Sequence, residues 1–130
     1  MRIYLDSSEL VHRAQAIQAA GFWRPPLESL DANEYSLASS AISRVEVSRT
    51  LLRSESPDVA NQLARQTLLD VDSLAPSAVI LELAATLPVR FLKSLDAIHV
   101  ATAMLIQADV VLTRDQQMQR ACADLGLATA

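Results

Sequence analysis

One cysteine, Cys122, stands in the chain, so no internal disulfide can form. A lone thiol suits a reducing compartment, and the expectation is a cytoplasmic protein in which Cys122 is a small buried apolar residue on a helix. Glycine is scarce, with two in 130 residues, while alanine is plentiful, a balance that favours helix. No apolar run approaches the roughly 18 residues needed to cross a membrane. Met1 to Asp6 leads straight into a strand pattern, not into the apolar region of a secretory leader. Positive charge is also in deficit. The net charge of −4 argues against a protein that binds nucleic acid mainly by neutralising phosphates.

Apolar residues make up 51% and charged residues 20%, the balance of a globular chain. A domain of this length hides roughly two-thirds of the surface its unfolded chain exposes, enough for one core. No repeat, linker or low-complexity stretch divides it, so residues 1–130 are expected to form one domain. Arg2 to Leu5 reads as a first strand, with Ser7 and Ser8 as caps for a helix carrying Leu10, Ala14 and Ile17 as far as Gly21. Residues 21–34 contain Pro25-Pro26 and no period, which predicts a loop. Tyr35 to Ile42 is a second strand candidate. Ser43-Arg44-Val45-Glu46 matches a capping box opening a helix through Val47, Leu51 and Leu52. A helix over 58–69 follows Pro57, then a short strand over 71–74, then a helix over 76–85 broken by Pro88. Ser94 is expected to cap a helix over 95–107 that is apolar nearly all round and therefore buried on most sides. Residues 109–113 are the clearest strand, 115–125 a last helix ending at Gly126, and 127–129 an edge strand. Alternation of this kind predicts an α/β fold: an open parallel sheet of about five strands with helices on both faces.

Four carboxylates stand where an apolar run gives way to a helix: Asp6, Glu46, Asp96 and Asp115. Each has a local explanation. Asp6 and Asp115 suit helix caps, Glu46 completes the capping box, and Asp96 in a first turn favours the helix dipole. Together they say more. In open α/β sheets ligands bind beyond the carboxyl ends of the strands, where strand order reverses, and that edge would gather all four. Acids crowded at one spot repel each other unless a cation lies between them, and hard divalent ions such as Mg²⁺ or Mn²⁺ prefer oxygen ligands. A cation held on carboxylates can face a phosphate, so the acidic net charge weighs little against metal-dependent phosphodiester chemistry.

Leu5-Asp6-Ser7-Ser8, Glu46 opening a helix, the stretch from Leu95-Asp96-Ala97-Ile98-His99 to Ala103, and Leu112-Thr113-Arg114-Asp115 resemble the four signature stretches of PIN-domain ribonucleases, most of all the VapC-type toxins of bacterial toxin–antitoxin pairs. The resemblance spans essentially the whole chain, in order. It implies a PIN-like fold and Mg²⁺- or Mn²⁺-dependent cleavage of RNA. Asp6, Glu46, Asp96 and Asp115 then take the places of the catalytic, metal-holding quartet, and Ser7 and Thr113 those of supporting hydroxyls. It also implies a homodimer and a cognate antitoxin partner, with no membrane association.

Two departures stand out. Glu9 occupies a position that is usually small and apolar, and is expected to face solvent. The Gln107-Ala108 approach to the last strand lacks a glycine often found there. His99, one turn after Asp96, is either a base or ligand or, as the stronger expectation, a structural histidine. His12 is expected at the surface. Arg44 and Arg114, nearest in sequence to the acids, are the candidates to grip an RNA backbone, and Phe22 and Trp23 are expected to cover core. The competing reading is a non-catalytic PIN-like interaction module. Phosphatases of the haloacid-dehalogenase type need a second aspartate where Ser8 stands, and receiver domains need paired acids after the first strand, so both are set aside.

Overall fold

Ile3, Tyr4 and Leu5 have no exposed surface, because the strand they form lies inside the sheet with both of its faces covered. The computed structural model describes residues 1–28 and 34–130; residues 29–33, within the expected 21–34 loop, lie outside the described residues. The strands are β1 (Arg2–Leu5), β2 (Ser36–Ser40), β3 (Val71–Leu74) and β4 (Val110–Leu112). All pairings are parallel, in the order β3-β2-β1-β4. The expected edge strand over 127–129 reduces to one parallel bridge between Val111 and Thr129.

The helices are α1 (Ser7–Ala20), α2 (Ser43–Leu51), α3 (Pro57–Leu68), α4 (Ala78–Thr86), α5 (Ser94–Leu105) and α6 (Gln116–Asp124). The two-residue period of the strands sorts the core onto two faces. Ile3, Leu5, Val110 and Leu112 point to one side and pack with Leu10 and Ala14 of α1, Val47 and Leu51 of α2, and Ala60 and Ala64 of α3. Tyr4 and Val111 point the other way, onto Val100 and Ala103 of α5 and Met118 and Cys122 of α6. Burying each of the valine, leucine, isoleucine and methionine side chains among these contributes about 1.5–3 kcal/mol, so both helical layers help to hold β1 in place. Gly21 ends α1 in the left-handed region at φ 81°, as the sequence predicts.

Four local expectations are corrected. Ser7 and Ser8 do not cap α1: both lie within it, and Asp6 is its cap. Ser43 does not cap α2. It is already helical, Ile42 precedes it without a side-chain cap, and the Ser43 hydroxyl turns instead to Ser39 at 2.7 Å. Ser39 donates to the Leu5 carbonyl at 2.6 Å, so the pair ties the start of α2 to the end of β1. Ser94 likewise opens α5 from inside, with Lys93 as the extended cap residue. α5 is buried at Ala97 and from His99 to Ala103, but Leu95 and Leu105 are about half exposed, so it is not enclosed on all sides.

Strand order reverses between β1 and β4. From β1 the chain moves outward through β2 to β3, then returns to the opposite flank as β4. The carboxyl ends of β1 and β4 therefore border the crevice where such sheets place their ligands.

Candidate active site

Asp6 leaves β1 in extended conformation and caps α1. It is only 3% exposed, and a carboxylate so buried must be hydrogen-bonded. Its Oδ1 accepts from the Glu9 amide at 3.0 Å and from the Ser8 hydroxyl at 2.7 Å, and its Oδ2 accepts from the Thr113 hydroxyl. Thr113 follows β4 directly, so this bond joins the ends of the two central strands. The Thr113 hydroxyl also accepts from the Asp115 amide at 3.1 Å. Asp115 caps α6, its Oδ1 accepting from the amides of Gln117 at 2.8 Å and Met118 at 3.3 Å. That bonding leaves its second oxygen with no donor among the described residues.

Asp96 lies in the first turn of α5, half-buried. Its carboxyl is raised above the usual range, first by burial, then by the negative charge of Asp115, with smaller contributions from Asp6 and Glu46; His99 opposes them. Asp96 thus lies within electrostatic reach of the other three acids. Glu46, a turn into α2, is held by His99, whose Nε2 lies 2.7 Å from Oε1. The other His99 nitrogen, Nδ1, lies 2.7 Å from the Tyr4 hydroxyl. Tyr4 and His99 are both buried, so His99 bridges β1, α5 and α2 beneath the acids.

Around this centre the structure departs from expectation at several residues. Glu9 does not face solvent. It is 4% exposed, its Oε1 accepts from the Trp23 indole at 3.3 Å, and Arg114 approaches its Oε2 to 3.9 Å. Lying three residues after Asp6, it shares the inward face of α1. Burial pushes its carboxyl up, while Arg114 and Trp23 pull it down. Ser8, and not Ser7, carries the hydroxyl network: besides donating to Asp6 it accepts from the Arg114 amide at 2.9 Å. Arg44 is engaged with Ser48 and Asn61 along α2 and α3, whereas the Arg114 side chain is half exposed beside the acids. His12 is half-buried. Trp23 packs on the core as expected, but Phe22 is exposed.

The donors are all oxygens, and Asp96 accepts no hydrogen bond from the described residues, which suits a hard cation. Among the described residues, however, no three His, Cys, Asp or Glu side chains already stand close enough to share one ion. Holding an ion there requires rotamer shifts or bridging waters.

A family model described as the PIN domain matches residues 3–124. The chain is 35% identical over 128 residues to ribonuclease VapC46 of Mycobacterium tuberculosis, covering 97% of this chain and 94% of that one. Ribonuclease VapC47 of the same species is 30% identical over 130 residues, with 98% and 95% covered. Among solved structures, VapBC2 from Rickettsia felis, bound to a DNA fragment from its promoter, matches with a TM-score of 0.71 at 13% identity, over 100% of this chain and 98% of that one; this is a likeness of fold.

Proposed function

The chain belongs to the PIN-domain family, and from that premise we propose that it is a metal-dependent endoribonuclease acting as the toxin of a toxin–antitoxin pair. The observation that carries this reading is that Asp6 and Asp115 follow the carboxyl ends of β1 and β4 and share the Thr113 hydroxyl, while His99 of α5, one turn after Asp96, ties Glu46 to the same helix. The naming of its relatives as ribonucleases supports it.

Asp96, Asp115, Glu46 and Asp6 would hold Mg²⁺ or Mn²⁺. When bound, such an ion supplies Lewis-acid stabilisation of the phosphoryl oxygens and eases ionisation of a water. The protein's own residues prepare the place. Thr113 and Ser8 lock Asp6, the first amides of α6 orient Asp115, and His99 holds Glu46. Arg114 offers its guanidinium to an RNA phosphate, countering an edge that otherwise repels polyanions.

Purified protein should cleave RNA with Mg²⁺ or Mn²⁺ and stop in excess chelator. Asp6→Ala and Asp96→Ala should each lower the rate by about 10²-fold or more, the scale of losing a group that positions charge in the transition state. Equal cleavage by the mutants and in chelator would sink the proposal. The lack, among the described residues, of a ready three-ligand cluster is what a non-catalytic binding module would show. A Mn²⁺ titration separates the two, since such a module binds none.

The partners proposed are RNA, a cognate antitoxin and a second copy of the chain. Supporting an apolar partner is a groove of about 420 Å³ between α4 and α5, lined by Leu81, Leu87, Leu92 and Ile98, with exposed Val79 and Leu95 nearby. Among the described residues no helix is long and apolar enough to cross a membrane. A cytoplasmic location belongs to the same proposal.

A further inference from the structure

Tyr4, His99 and Glu46 form one hydrogen-bonded chain in which no link is local in sequence: 95 positions separate Tyr4 from His99, and 53 separate His99 from Glu46. Both links measure 2.7 Å. The two rings meet edge to face, with centroids 5.8 Å apart at 71°, so packing fixes the imidazole plane. Tyr4 has no exposed surface and His99 only 1%.

The hydrogens in this chain can be assigned by chemistry. A carboxylate only accepts, so the link to Glu46 needs a proton on Nε2. In a neutral imidazole Nδ1 then carries a lone pair, and the Tyr4 hydroxyl is the group that donates to it. The alternative tautomer would set two lone pairs, on Nε2 and on the carboxylate, against each other.

We infer that His99 is a positioning residue: the Tyr4 hydroxyl selects its Nε2–H form, and that N–H fixes the Glu46 carboxylate at the acidic edge. The role rests on the nuclease reading, because an oriented Glu46 matters only if it serves the quartet. A histidine hydrogen-bonded in this way acts as an outer support for a ligand, where loss typically costs 10–100-fold in metal affinity or activity. A histidine that merely fills the core would affect folding alone.

Tyr4→Phe is the decisive variant, since it keeps the ring and removes only the donor. Nitrogen NMR of the metal-free wild type should show His99 protonated at Nε2 and bare at Nδ1, and Tyr4→Phe should populate both forms. Mn²⁺ titration without RNA should show about 10-fold weaker binding in Tyr4→Phe and in His99→Leu. His99→Gln, which keeps an amide donor toward Glu46, should recover part of the loss. In cleavage assays kcat should fall while KM for RNA stays put. An Nδ1-protonated His99, or a Tyr4→Phe protein with wild-type Mn²⁺ affinity and kcat, overturns the inference even if His99→Leu fails to fold. A wild type that neither binds Mn²⁺ nor cleaves RNA removes the nuclease reading, and this role with it. A wild type that does both, with an indifferent Tyr4→Phe, removes this role alone.

Discussion

The Thr113 hydroxyl donates to Oδ2 of Asp6, joining the carboxyl ends of β4 and β1 across 107 positions. Both groups are buried, so the bond has no water to replace it. Thr113→Val keeps the shape and removes the donor. Because a hydrogen bond to a charged acceptor is worth about 1.5–3 kcal/mol, urea unfolding should show a loss of that size. Thr113→Ser should retain most of the stability. A Val variant as stable as wild type would show that the bond is not formed in solution.

Asp96 should make the metal-free protein sensitive to rising pH. Its folded carboxyl is raised by burial and by Asp115, so its contribution is full below the unfolded carboxylate value and is lost as pH climbs through the raised folded value. In chelator, the Tm of wild type minus that of Asp96→Asn should therefore fall as pH rises through the weakly acidic range. The change should stay below about 1 kcal/mol, because the group is half exposed and screened. Millimolar Mg²⁺ should raise the wild-type Tm more than that of Asp96→Asn, by preferential binding to the folded state. A flat difference curve counts against convergence of the acids.

Asp70 predicts the opposite pH trend. Arg13, on the buried face of α1, donates two hydrogen bonds to it at 2.8 Å, and these bonds hold the Asp70 carboxyl below its usual range against a smaller effect of burial. Such a group contributes stability above its unfolded value and loses it as pH falls through the depressed folded one. Asp70→Asn should cost about 1 kcal/mol at neutral pH, modest because Asp70 is largely exposed, and the gap from wild type should close in acid. Melting at several pH values reads it directly. Arg13 also lies over Trp23 at 5.0 Å, a contact this substitution leaves intact.

Gln107 sits at φ 54°, in the left-handed region, at the turn that leads into β4. A side chain there costs roughly 1–2 kcal/mol of local strain, part of which glycine would give back as entropy of the unfolded chain. Gln107→Gly should therefore stabilise the protein by about 0.5–1 kcal/mol in urea titration. The missing glycine noted in the sequence is thus a real local cost.

Where the four acids stand in the fold could largely be read from residue order. Asp6 and Asp115 stand directly after strongly apolar runs, and Leu95 to Ala103 is distinctive enough to place Asp96. Other features could not be read. Ser43 and Glu46 satisfy a capping pattern, yet the hydroxyl turns to Ser39, because the end of β2 supplies a nearer partner than the helix's own amides. Glu9 looks like an exposed polar residue until Trp23 and Arg114 close over it. Tyr4 reads only as a strand aromatic, and its bond to His99 depends on which helix covers that face of the sheet.

By itself the sequence determined what short-range chemistry controls: the alternation of strand and helix, the caps at Asp6 and Asp115, the stop at Gly21 and the acids placed at element ends. Periodicity and capping act over a few residues, so they leave their mark in local order. The tertiary structure alone decided that β4 returns beside β1, that Thr113 bonds Asp6, that Glu9 is enclosed and that His99 joins Tyr4 to Glu46. Those outcomes follow from parallel strand order and from which helix covers each face, where contacts between distant residues compete and only the packed whole selects among them.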